Sequence, residues 1–315
     1  MWTLARREHK FRWLAVVLLV VCFAVPAPAA SAASAAEPLV DAAWVIAQVG
    51  DENVRFLDIR AGGAEDFKAG HIPGAVFSDY FSAGWRVTGA DGTPGMLPPV
   101  ADLEKLVGGL GISNANHVVI VARGLSAVEM ASAARVFWTF KVLGHDAVSI
   151  LDGGMTSYRA LSAALQQGTA SATLTEFKSY FRPALIASTE DVLSARQNGG
   201  VLLDLRPQLQ FSGLSGPRFM SRKGTIPGAQ NLPLKNLTQE GAFKTPAALA
   251  ALFAEADLAV AGPVTCFCNT SHMAALGWFV AHELLGNSAA RLYDGSLAAW
   301  SQDPERDIVK GVGLD

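Results

Sequence analysis

The sequence predicts two tandem α/β domains, each a parallel sheet with helices on both faces, and three observations carry that fold class. Short apolar runs alternate with helical patterns along nearly the whole chain, as strand–helix–strand units do. The runs are short, apolar and bounded by turn residues, which is how strands of a sheet covered on both faces read. Three motifs also recur in the same order at an interval of about 150 residues, the scale of a duplicated domain rather than a solenoid repeat.

The first copy reads Phe56-Leu57-Asp58-Ile59-Arg60, then Gly70-His71-Ile72-Pro73-Gly74-Ala75, then Leu151-Asp152-Gly153-Gly154. The second reads Leu202-Leu203-Asp204-Leu205-Arg206, then Gly224-Thr225-Ile226-Pro227-Gly228-Ala229, then Tyr293-Asp294-Gly295-Ser296. Strands are expected at Val54–Leu57, Val118–Val121 and Val148–Leu151, with counterparts at Leu202–Asp204, Val264–Phe267 and Leu292–Tyr293. Helices are expected at Val100–Leu110, Ala127–Leu143, Thr189–Gln197, Pro246–Glu255 and His272–Leu285. Ser188, with Asp191 three residues on, has the spacing of a capping box.

The chain has 315 residues, half of them apolar, and a formal net charge of −3. That composition excludes a disordered chain, and no basic stripe suggests nucleic acid. Arg6, Arg7, Lys10 and Arg12 precede the apolar stretch Trp13 to Val25, and a small-residue tract follows from Ala27 to Ala36. This is the pattern of an export signal with Ala-x-Ala cleavage sites. Its apolar core falls short of the ~18 residues that span a bilayer, so no stable membrane anchor is expected after removal. The expected organisation is a signal over 1–36, a first domain over 37–165, a linker over 166–184 rich in Ser, Thr, Ala and Gln, and a second domain over 185–315. The mature chain is expected in a bacterial periplasm. There it keeps only Cys266 and Cys268, which rules out a disulfide framework and points to chemistry.

Cys268 ends the apolar run Val264-Thr265-Cys266-Phe267, and Asn269-Thr270-Ser271-His272-Met273 then opens a helix. Backbone N–H groups converge at such a strand end, and the helix dipole favours an anion there. Both effects are expected to lower the cysteine pKa. Cys268 is therefore the candidate nucleophile, and Asn269, Thr270, Ser271, His272 and Met273 are the candidate substrate-binding residues. Cys266, two positions earlier, points to the same face of the sheet; it is either a small buried residue or a resolving thiol.

Together the two Asp-x-Arg strand ends, the two Ile-Pro-Gly-Ala turns, Asp152-Gly153-Gly154, Asp294-Gly295-Ser296 with Trp300, and the Cys268 loop resemble the tandem-domain rhodanese family, the thiosulfate and 3-mercaptopyruvate sulfurtransferases. The likeness spans roughly Leu39 to Pro304. It implies two rhodanese-like domains, the first inactive, and a Cys268 persulfide as carried intermediate. A small sulfur donor and a thiophilic acceptor (cyanide, a thiol or a protein thiol) are the implied partners, with no cofactor and no metal. The residues agree on which half is active: aligning Val118–Val121 with Val264–Phe267 sets Ala122 opposite Cys268. The loop after Cys268 departs from those of the thiosulfate and mercaptopyruvate types and resembles an exported branch. The substrate-binding arginine expected four residues beyond Arg206 is replaced by Gln210. Arg86, Arg218, Arg222 and Lys223 are the cations available to take its place.

Three other readings compete. A persulfide carrier with little turnover would use the same thiol. A copper(I) site would draw on Cys266, Cys268 and Met273, a soft ligand set. A cysteine phosphatase would need an arginine six residues after Cys268; Ala274 is there, and that reading fails. His71 and the two Asp-x-Arg pairs read as architecture, since the Asp-x-Arg pair recurs in the copy without a thiol.

Overall fold

The computed structural model describes residues 1–2, 36–220, 222–258 and 261–313. The expected export signal falls on residues 3–35, outside the described residues. Among those described, no helix is long and apolar enough to cross a membrane.

Two five-stranded, wholly parallel sheets carry the fold. The first runs Leu39–Val40, Val148–Leu151, His117–Val121, Val54–Asp58, Val76–Phe77. The second runs Ile186–Ala187, Ala290–Tyr293, Val264–Phe267, Val201–Asp204, Gln230–Asn231. Position by position these are the same sheet built twice, each with the strand that leads to residue 122 or 268 at its centre.

Local chemistry sets the helices. Ser126 caps Ala127–Val142 by accepting from Glu129 N–H, and Thr245 caps Pro246–Glu255, where Pro246 supplies a preset first turn. Ser188 and Asp191 form a complete capping box on Thr189–Gln197. The helix from His272 runs regularly only to Phe279 and then widens into a π turn over Val280–Leu284, closed by Leu285 N–H on Val280 O at 2.9 Å. Gly286, in the left-handed region, stops it. Residues 166–182 form no regular strand or helix, but their backbone is tied to the first domain through His71, Gly108 and Leu143.

Alternation along each strand divides the core into three. The outer face of each sheet has its own cluster, one around Val45, Phe56 and Ile72 and the other around Leu202, Phe267 and Trp300. The inner faces share a single core that runs from Val118 and Ile120 to Cys266 and Leu292. The helices that follow the two central strands, Ala127–Val142 and His272–Phe279, pack on each other through that core.

Two short antiparallel hairpins absent from the sequence reading complete the interface: Val87–Thr88 with Pro94–Met96, and Thr238–Gln239 with Ala242–Phe243. Each reaches the other domain. Leu97 N–H donates to Asp294 Oδ2 and Phe243 N–H to Asp152 Oδ1, both at 2.8 Å. The aspartates of the two Asp-Gly turns thus clasp opposite hairpins in a pseudo-twofold arrangement.

Candidate active site

Cys268 lies just past the carboxyl end of Val264–Phe267, where ligands bind in parallel sheets. Phe267 packs on the outer face, so Cys266 and Cys268 both face the shared inner core, as alternation requires. Both thiols are free.

The loop after Cys268 is held from outside. Ser296 Oγ accepts Cys268 N–H at 3.2 Å and Ser271 N–H at 2.9 Å, and donates to Tyr293 O. Leu297 and Ala298 N–H groups bond the carbonyls of Cys268 and Asn269. Ser296 occupies a left-handed conformation (φ 48°), as does its counterpart Gly154 (φ 55°). A residue with a Cβ is strained there, and here its hydroxyl organises the loop after Cys268. The Thr270 and Ala274 N–H groups lie near enough to the Cys268 sulfur to favour its thiolate.

The thiol is nevertheless only 1% exposed. Burial raises its pKa above the ordinary thiol value of 9.0, with the Thr270 and Ala274 amides and Arg206 pulling the other way and Asp204 adding to the rise. The expected depression is therefore overturned: desolvation of the thiolate outweighs the amide donors. A raised pKa keeps the proton on sulfur at neutral pH. Alkylation of Cys268 is expected to accelerate about tenfold per pH unit through the neutral range, with no plateau below about pH 9. Stopped-flow alkylation across that range, with peptide mapping of residue 268, checks it. Burial also pushes Cys266 strongly upward.

The five loop residues have different duties. Asn269 accepts from Arg206 Nη1 at 3.4 Å and donates from Nδ2 to Gln210 Oε1 at 2.8 Å. Gln210, at the position of the missing arginine, is thus engaged in holding the loop. Ser271 sits at the N-cap of the helix, but its hydroxyl makes no cap bond. Its left-handed backbone (φ 57°) turns Oγ instead onto Thr270 O at 2.6 Å and beside Asp294 Oδ1. His272 Nε2 bonds Ser132 Oγ at 2.9 Å, with its ring tilted against Tyr80 at 5.0 Å. Burial, then the charges of Arg86 and Arg135, hold its pKa down to about 3, so it is a neutral ring. Met273 packs against the shared core.

Sequence reasoning missed the first domain's share of the site. Arg135, fully buried on Ala127–Val142, donates to Ser271 Oγ at 2.7 Å and Asp294 Oδ1 at 2.6 Å, and stacks 4.3 Å from the Trp138 ring. Arg86 Nη2 donates to Thr270 O and Oγ1 at 3.1 and 2.9 Å. Of the other candidate cations, Arg218 and Lys223 are exposed, and Arg222 is bound to the carbonyls of Asp303 and Arg306. Two clefts of about 620 and 560 Å3 lie elsewhere, and neither is lined by the Cys268 loop.

The motifs first read as architecture behave so. Arg60 joins Asp58 to Gly70 O, and Arg206 joins Asp204 to Gly224 O. His71 Nδ1 lies 2.7 Å from Phe67 O. Trp85 and Trp300 are buried core residues. Among the described residues, no group of three or more His, Cys, Asp or Glu side chains is placed to hold a metal ion.

A duplicated parallel α/β unit with one cysteine loop at the junction defines a class, and sequence comparison places the chain in it: the rhodanese-like domain model matches residues 41–161 and 188–303, so the chain belongs to that family. Within it the chain is similar to sulfurtransferases. The 3-mercaptopyruvate sulfurtransferase of Homo sapiens is 32% identical over 297 residues, covering 91% of this chain and 94% of the relative. That of Escherichia coli (strain K12) is 29% identical, covering 83% and 94%. The crystal structure of SseA from Escherichia coli, a 3-mercaptopyruvate sulfotransferase, superposes with a TM-score of 0.70 at 28% identity, covering 82% of this chain and 98% of that one. An anaerobic ergothioneine biosynthesis enzyme from Chlorobium limicola shares the fold at 19% identity, with a TM-score of 0.76 and coverage of 88% and 71%. The enzyme class is sulfurtransferase.

Proposed function

We propose that the protein moves a sulfur atom from thiosulfate or 3-mercaptopyruvate to a thiophilic acceptor, carrying it as the sulfane sulfur of a persulfide on Cys268, and that it works in the periplasm after export. The observation carrying this reading is the Cys268 sulfur facing the Thr270 and Ala274 amides at a strand end, in a chain whose relatives are named sulfurtransferases. With thiosulfate, the thiolate attacks the outer sulfur, the S–S bond breaks, and sulfite leaves with the bonding pair. With 3-mercaptopyruvate, the C–S bond breaks and the thiol proton ends on the methyl carbon of pyruvate. Either route leaves a Cys268 persulfide anion, which the two amides stabilise in the manner of an oxyanion hole. Cyanide attack on its terminal sulfur then yields thiocyanate and restores the thiolate.

Burial of Cys268 favours a second reading, a persulfide carrier that reacts slowly with small donors. One experiment separates the two. Purified protein is incubated with thiosulfate or 3-mercaptopyruvate, the peptide containing residue 268 is weighed, and cyanide is added. One added sulfur followed by many thiocyanates per protein is expected of the enzyme. A stable persulfide released once only would favour the carrier, and no added sulfur with either donor would end both readings.

A further inference from the structure

We infer that Arg86 and Tyr80, both from the first domain, form the seat for the anionic oxygens of the sulfur donor and so fix the donor class as a small sulfonate or carboxylate. The inference rests on the sulfurtransferase reading and adds a binding site to it.

Four observations carry it. Gln210 replaces the arginine of the second domain and is bonded to Asn269, which leaves that side of the loop without a free cation. Arg86 has no carboxylate within ion-pair distance among the described residues, an unusual state for a half-buried guanidinium, and it rests on the carbonyl and hydroxyl of Thr270, two residues past the nucleophile. Its place is built: Gly95 has φ 80°, and a Cβ there would lie 2.0 Å from Arg86 Nη2. A side chain at Gly95 would be strained by that φ and would have to push the guanidinium aside from its present path. Finally, Tyr80 Oη is buried beside the Arg86 guanidinium with no acceptor for its proton, a costly state that an incoming acceptor oxygen would relieve.

Tyr80 stands between the groups that matter. Its ring lies 5.7 Å from the Arg86 guanidinium and 5.0 Å from the His272 ring, and its hydroxyl is close enough to Cys268 to feel the thiolate charge. Burial pushes its pKa up to about 12, so at working pH it is a neutral O–H donor. A donor anion would take one guanidinium edge of Arg86 and the Tyr80 hydroxyl, exchanging the contact with Thr270 for a charge-assisted bond. The sulfonate of thiosulfate and the carboxylate of 3-mercaptopyruvate both satisfy that chemistry.

The test compares alkylation of Cys268 by anionic iodoacetate and neutral iodoacetamide, alongside KM and kcat for both donors. In Arg86→Gln the iodoacetate-to-iodoacetamide rate ratio is expected to fall about tenfold, with KM rising by a similar factor and kcat changing less. Arg86→Lys should recover part of the ratio, Gly95→Ala should mimic the loss by displacing the intact arginine, and Tyr80→Phe should raise KM about threefold to tenfold. A rise confined to thiosulfate assigns the seat to the sulfonate, and one confined to 3-mercaptopyruvate to the carboxylate. An unchanged alkylation ratio in Arg86→Gln, with turnover lowered equally for both donors, would overturn the proposal and leave Arg86 as a prop for the loop. Persulfide never forming in the unmodified protein, while the ratio still falls in Arg86→Gln, would instead remove the sulfurtransferase reading and keep the anion seat.

Discussion

Cys268→Ser is expected to take up no sulfur from thiosulfate or 3-mercaptopyruvate and to lose thiocyanate production by at least about 10^4-fold, since the other thiol, Cys266, is sealed in the shared core. The first domain offers no substitute, because Ala122 stands at the corresponding strand end. Serine would also accept the Thr270 and Ala274 amides, so the loop should keep its shape and the fold its stability. Cys266→Ala is the matched control. Cys266 is fully buried on the inner face of the sheet, and losing its sulfur leaves a small cavity costing about 1 kcal/mol. Turnover should persist. Mass measurement of both variants after donor treatment, with thiocyanate assay, decides the matter: sulfur retained on Cys268→Ser would move the chemistry to Cys266.

Much of this was legible in the sequence because it lies in local patterns. Apolar runs matched the strands at Val148–Leu151 and Val264–Phe267 to the residue, helical patterning matched Pro246–Glu255, and the Ser188–Asp191 capping box marked the start of Thr189–Gln197. The candidate nucleophile was legible as a cysteine at a strand end, with a polar loop after it. What escaped was whatever depends on the other domain. The thiol pKa turns on desolvation by a core assembled from both sheets, which no single segment encodes. The interface hairpins are two and three residues per strand, too short for periodicity to register. Arg135 sits in the buried middle of its helix, between Ala134 and Val136, and reads as an anomaly until Asp294 is placed against it. One signal was available and unused: Ser296 stands where the first copy has Gly154, at a turn requiring positive φ. A side chain tolerated at that position marks a hydroxyl with a duty, and it proves to hold both Cys268 and Ser271.

The largest stability effect is expected at the pair that joins the domains. Arg135→Met leaves the Asp294 carboxylate buried with only Leu97 N–H and the Ser271 hydroxyl beside it, and removal of one partner from such a pair costs about 3–5 kcal/mol. For a chain of this size that corresponds to a fall in Tm of roughly 6–20 °C. Asp294→Asn is expected to cost less, because the amide keeps an acceptor for Arg135 and loses mainly the charge. The double variant Arg135→Met/Asp294→Asn should recover part of the loss, giving a coupling of about 1–3 kcal/mol in a double-mutant cycle. Activity should fall further than stability. Arg135 holds Ser271 Oγ, Ser271 N–H is tied to Ser296, and Ser296 in turn fixes Cys268 N–H. Freeing that chain lets the Thr270 and Ala274 amides drift from the sulfur while both sheets remain folded. Thermal melts and thiocyanate assays on the three variants, run below their transitions, separate the two effects. Additive losses, with activity tracking the folded fraction alone, would show that the ion pair cements the domains without organising the nucleophile.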